Sequence, residues 1–153
     1  MLVFTYNYKY RISDMPQAIL PKRAGQVVPG FNGKTIDGED YIFSSKKSEK
    51  TLVIFWASWC APCAEETPSL IEMAKRNSKW QIIAISNDTS RKEILDFLKI
   101  FPQMRQENII LLWDAGREIA GRYGVEGIPE SFLIDNKGQL IKKFIGSVDW
   151  NKY

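Results

Sequence analysis

The sequence contains no histidine and only two cysteines among its 153 residues. Without histidine, every Ser–His and Cys–His nucleophile and every histidine metal site is excluded. Long apolar runs are missing too. The longest, 52–57 (LVIFWA), falls far short of the ~20 residues that cross a bilayer. The first nine residues alternate in polarity instead of forming the apolar core of a secretory signal. Charge of one sign is scarce: Lys+Arg 21 against Asp+Glu 18 leaves a net +3. The basic pairs at 22–23, 46–47, 91–92 and 142–143 are scattered along the chain, which argues against a nucleic-acid partner. There is no internal repeat and no low-complexity segment. What remains is an ordinary globular composition, 44% hydrophobic and 25% charged, which argues against disorder. The length predicts a single domain. At this size a fold buries roughly 70% of its unfolded surface and needs no disulfide framework.

The two cysteines are Cys60 and Cys63, in 59–63 (WCAPC). A structural disulfide here would close too small a loop to stabilise much, and a zinc site would lack its remaining ligands. A pair cycling between dithiol and disulfide is left, provided that it sits where a strand of a βαβ unit turns into a helix. The flanking residues meet that condition. The run 51–57 (TLVIFWA) reads as a strand buried on both faces. Pro62 suits a first helical turn, and Glu65 and Glu66 are expected in that turn, facing the helix dipole. The helix carries Thr67, Leu70 and Ala74 on one face, is expected to kink at Pro68, and ends near 77–78. A second buried strand follows at 80–86 (WQIIAIS).

Downstream, Ser90 with Glu93 predicts a capping box for a helix whose Ile94, Phe97, Leu98 and Phe101 follow helical spacing. Pro102 ends that helix, and 109–113 is a short strand. Asp114 is expected to cap a third helix that ends at Gly124. Strands at 131–135 and 140–145 flank 136–138 (NKG), a hairpin with glycine at the bulge. Upstream, 34–36 and 41–43 flank Asp37-Gly38 as another hairpin. The charged stretch 46–50 reads as a solvated loop. Residues 3–12 alternate with one aromatic face (Phe4, Tyr6, Tyr8, Tyr10) and predict an extra edge strand.

These motifs together carry a resemblance. The stretch 55–63 (FWASWCAPC) resembles the active site of the thioredoxin superfamily, and 123–129 (YGVEGIP) resembles the segment bearing that family's cis-proline. Within it, 25–31 (GQVVPGF), Glu66-Thr67-Pro68 and 130–135 (ESFLID) are similar to the TlpA/ResA-like and cytochrome c maturation (DsbE-type) thioredoxins of bacterial envelopes. The segment from about 88 to 113 matches the helix–strand insertion of that branch. The resemblance spans residues 25–146 and implies a thioredoxin fold: an α/β protein with a central mixed sheet flanked by helices, an N-terminal hairpin and the inserted unit. Residues 1–24 then form an N-terminal extension and 25–153 the thioredoxin-like domain. The family's signal anchor has no counterpart in the chain, which leaves a trimmed chain or a cytosolic protein as alternatives. The family's last helix should be running where the chain ends at Tyr153.

The resemblance also assigns roles. Cys60, at a helix N-terminus, is the exposed low-pKa nucleophile, and Cys63 the resolving thiol. Pro129 forms a cis bond with Ile128, whose backbone edge docks substrate. Ordinary thioredoxins carry a buried acid on the strand before the motif. Here that position is Ile54, and Glu66, on the Cys63 side of the helix, resembles the acid that envelope thioredoxins use instead. A plain first-turn acid is the alternative for Glu66. Glu130 is a candidate for tuning or substrate contact. Trp59 is expected to shield the thiolate and Pro62 to contact substrate, whereas Trp56 is expected in the core and Asp135 in a turn. The implied activity is thiol–disulfide exchange, reducing protein disulfides such as the CxxCH of an apocytochrome c. It needs no metal and no cofactor. An upstream membrane or thioredoxin-type reductant would recharge it. The implied location is periplasmic, with a cytoplasmic one as the alternative. The rival readings are a cytosolic general thioredoxin, a peroxiredoxin-like enzyme and a non-catalytic binding module.

Overall fold

A computed structural model of the chain describes residues 23–153. The aromatic strand expected over 3–12 lies outside the described residues. The apolar runs form the middle of a seven-stranded mixed sheet: β1 (Asn32–Thr35), β2 (Asp40–Ile42), β3 (Lys50–Trp56), β4 (Trp80–Ser86), β5 (Ile109–Trp113), β6 (Glu130–Asp135) and β7 (Leu140–Ile145). Their order is β2-β1-β5-β4-β3-β6-β7. β3 pairs parallel with β4 and antiparallel with β6, and β4 pairs parallel with β5. The expected helix–strand insertion is helix α2 (Arg91–Ile100) with β5, which lies between β4 and the N-terminal hairpin.

Because strand side chains alternate between faces, the sheet divides the core in two. Leu52, Ile54 and Trp56 of β3 face helix α1 (Ala61–Arg76) and α2, together with both cysteines. Val53 and Phe55 face the opposite side, where Tyr123, Phe132 and Ile119 of the short helix α3 (Glu118–Arg122) pack. On that side Tyr123 donates its hydroxyl proton to Pro29 O at 2.9 Å. Helix α1 runs through Pro68 as one element, and the Thr67 hydroxyl donates to Cys63 O beside the proline. Where the family's last helix was expected, the chain makes a single 3-10 turn, Trp150–Lys152.

The local signals are realised unevenly. Gly38, Gly124 and Gly138 adopt the positive φ that their turns require. The Ser90 capping box does not form: Ser90 is extended and makes no side-chain cap bond. Burial of Ile94, Phe97 and Leu98 supplies the drive for α2 instead, as tertiary packing commonly does for short helices. Asp114 does serve helix α3, though not from its N-cap position, which Arg117 fills in the left-handed region. Its two carboxylate oxygens accept from Glu118 N and Ala120 N at 2.9 and 3.0 Å. Replacing Asp114 with alanine strands both N–H groups and should cost about 1–2 kcal/mol. That loss would appear as a lower urea midpoint with an unchanged slope.

Candidate active site

The strand-to-helix turn after β3 delivers Cys60 to the N-cap of α1, with Ala61 and Pro62 as its first two residues. Cys60 and Cys63 form a disulfide with Cα atoms 5.2 Å apart, and Cys63 N donates to Cys60 Sγ at 3.3 Å. The helix N-terminus therefore points an N–H at the sulfur, the geometry that favours a thiolate once the bond is reduced. Cys60 is not exposed as expected. It is 5% accessible and Cys63 2%. Ile128 O is 3.8 Å from Cys60 Sγ. Trp59, immediately before Cys60, stands 68% exposed.

The Ile128–Pro129 peptide is cis. Pro129 is buried, and its carbonyl accepts from Gly146 N at 2.9 Å, tying the loop to the end of β7. Glu130 anchors the same loop from below. Its Oε1 accepts from Glu126 N and Gly127 N, both at 3.3 Å, and its Oε2 is paired with Lys143 Nζ at 3.4 Å. Only 4% exposed, Glu130 holds the loop from within the fold.

Ile54 is a core residue, 2% exposed, and offers no proton acceptor beneath the cysteines. Glu66 is also buried, 4% exposed, because α1 starts at Ala61 and position 66 falls in its second turn, on the sheet side. The helix-dipole reading of a solvated first-turn acid is therefore corrected. The Glu66 Oε2 accepts from Val148 N at 2.8 Å and Trp150 Nε1 at 3.2 Å; Oε1 is buried without a hydrogen bond. Burial pushes the carboxyl up to about 7, against the lowering effect of those two donors. Glu66 and Cys63 line one small cavity of about 10 Å3 together with Trp56, Thr67 and Met104, close to the size that admits a single water.

Sequence reasoning missed Asp88. Fully buried just after β4, it accepts from Ser58 N (3.0 Å), Ser58 Oγ (2.5 Å) and Ser86 Oγ (2.7 Å). That carboxylate pins the loop leading into Cys60 to the neighbouring strand. The Ser-x-Asp spacing after an apolar strand was its only local sign. Trp150, which meets Glu66 across 84 positions, gave no sign at all. A cleft of about 370 Å3 around Asp37 and Arg105 contains none of these residues.

The AhpC/TSA family profile matches residues 24–143. A thiol-disulfide oxidoreductase ResA of Bacillus cereus is 30% identical over 122 residues, which is 80% of this chain and 69% of that protein. The sporulation thiol-disulfide oxidoreductase A of Bacillus subtilis (strain 168) is 30% identical over 141 residues, 88% of this chain and 82% of that protein. Among solved structures, a Chlorobium tepidum protein described as a putative thiol:disulfide interchange protein DsbE superimposes with a TM-score of 0.73 at 28% identity, covering 85% of this chain and 90% of that one.

Proposed function

We propose that this chain, a thiol–disulfide oxidoreductase that belongs to the AhpC/TSA family, works as a reductant of protein disulfides outside the cytoplasm, with the CxxCH disulfide of an apocytochrome c as its client class. The observation that carries the mechanism is the buried Glu66 carboxyl sharing a cavity with the resolving cysteine. The reduced Cys60 thiolate attacks one sulfur of the client disulfide. A Cys60–client disulfide forms, and the other client sulfur leaves as thiolate. Cys63 then gives its proton to Glu66 and attacks Cys60 Sγ. The Cys60–Cys63 disulfide closes and the second client sulfur departs. Two electrons have passed to the client, and an external dithiol of the membrane-bound or thioredoxin type must return them.

Resemblance to the cytochrome c maturation branch supports the client class and the extracytoplasmic location. Within the described residues no helix is long and apolar enough to cross a membrane. Cys63, one helical turn from Cys60, supports dithiol exchange over peroxidase chemistry. The test is the reduced protein mixed with an oxidised CxxCH peptide and, separately, with hydrogen peroxide. The peptide should be reduced as Cys60–Cys63 oxidises, with a reduction potential below that of the peptide; about 30 mV of separation already corresponds to about 1.4 kcal/mol. Net oxidation of a dithiol client, or rapid peroxide consumption with no exchange on the peptide, would overturn the reading.

A further inference from the structure

The C-terminal residues beyond β7 fold back on α1. Trp150 is fully buried there, stacked edge-on with Phe144 at 5.2 Å between ring centres and against Tyr153 at 5.6 Å. The turn is fastened at two points: Ser69 Oγ accepts from Trp150 N at 3.1 Å, and Arg76 Nη2 donates to Trp150 O and Tyr153 O. A buried indole N–H usually finds a hydrogen-bond partner. Here it goes to a buried carboxylate, Oε2 of Glu66, at 3.2 Å, beside the Val148 N–H at 2.8 Å.

We propose that Trp150 is a positioning residue for the redox step: its indole N–H and the Val148 N–H together hold Oε2 of Glu66 and leave Oε1 as the oxygen free to take the Cys63 proton. This rests on the reading of Glu66 as proton acceptor given above. Both donors bind the ionised carboxylate better than the neutral acid, so against the larger effect of burial they lower the pH at which Glu66 becomes a base. The surroundings add no competing charge. β3 contributes Ile54 and Trp56, β4 Ala84 and the turn at 102–104 Met104; among the described residues Cys63 is the one ionisable neighbour of Glu66 in the cavity. Arg76 is committed to backbone carbonyls, and exposed Asp149 accepts from Asn151 N.

Trp150→Phe keeps an aromatic ring in the core and deletes the donor. The Glu66 carboxyl carbon, followed by NMR in the oxidised protein, should titrate about one pH unit higher. That is a tenfold change in the ionised fraction, about 1.4 kcal/mol. The alkaline rise in the rate of Cys63-dependent resolution should move by the same amount, with its plateau kept. A second readout needs no change at Trp150. With the disulfide closed no thiol titrates, and the chain has no histidine, so the Trp150 indole N–H resonance should shift with a midpoint near 7 and stay flat in Glu66→Gln. An unmoved midpoint in Trp150→Phe, or a flat indole resonance in the unaltered protein, overturns the inference. If Glu66→Gln keeps the alkaline rise in resolution, the base reading fails instead, whatever Trp150 does.

Discussion

Cys63→Ser should stop turnover and leave the protein covalently attached to its client. Geometry is the reason. Cys63 sits one helical turn inside Cys60, 2% exposed, with its Cα 5.2 Å from that of Cys60. In the mixed disulfide it is the thiol already held beside the sulfur it must attack. Well-oriented intramolecular groups reach effective molarities of roughly 10⁵–10⁸ M, so millimolar external thiol replaces Cys63 poorly and turnover should fall at least about a thousandfold. The first attack does not need Cys63, because serine keeps the helix and its backbone N–H to Cys60 Sγ. The adduct therefore accumulates. On a non-reducing gel it should run as a heavier band that dithiothreitol removes and that Cys63→Ser/Cys60→Ala lacks. Mass spectrometry of the band identifies the client. Apocytochromes or other envelope proteins would agree with the proposed location, and cytosolic enzymes would contradict it. If no adduct depends on Cys60, protein disulfides are not the substrate.

The parts of this site visible in the sequence are those encoded locally. The apolar run, the C-x-x-C pair and the proline in the first helical turn are neighbours in the chain, and each has a physical meaning at short range. The absence of an acid at Ile54 is equally visible, and it points to Glu66. Burial is harder to read. Whether Glu66 faces water or the sheet depends on where α1 begins, and a start at Ala61 places it in the second turn. The burial of Cys60 is hidden for a related reason: its neighbour Ile128, whose carbonyl is 3.8 Å from Cys60 Sγ, lies 68 positions away. Asp88 and Trp150 leave little trace because their partners, Ser58 and Glu66, lie 30 and 84 positions distant. Ser90 shows the opposite failure. A local cap signal is present, yet α2 forms without using it, since its buried face decides the matter.

Glu66→Gln should make the oxidised protein more stable, and the gain should depend on pH. In the unfolded chain the carboxyl titrates near 4.5; burial raises it in the folded chain to about 7. Below 4.5 both states are protonated and Glu66 carries no electrostatic penalty. As pH rises from 4.5 the unfolded chain releases its proton while the folded chain keeps it, so stability falls. Above about 7 both states are ionised and the penalty is constant. The interval from 4.5 to about 7, at about 1.36 kcal/mol per tenfold, corresponds to about 3 kcal/mol. Glutamine has the shape of the neutral acid, and its carbonyl can still accept from Val148 N and Trp150 Nε1. The variant should match the parent near pH 4 and exceed it by about 3 kcal/mol at about pH 8, roughly 6–12 °C in Tm for a chain of this size. Urea titrations at about pH 4, 6 and 8 read the difference directly. A gain equal at all three values would mean that the amide merely packs better, and no gain would mean that Glu66 is solvated when ionised. With Glu66 as the proton acceptor proposed above, resolution near neutral pH should slow in the same variant as stability rises. A buried carboxyl that destabilises the resting protein while lining the same cavity as Cys63 is the exchange expected when activity requires a group the core would otherwise exclude.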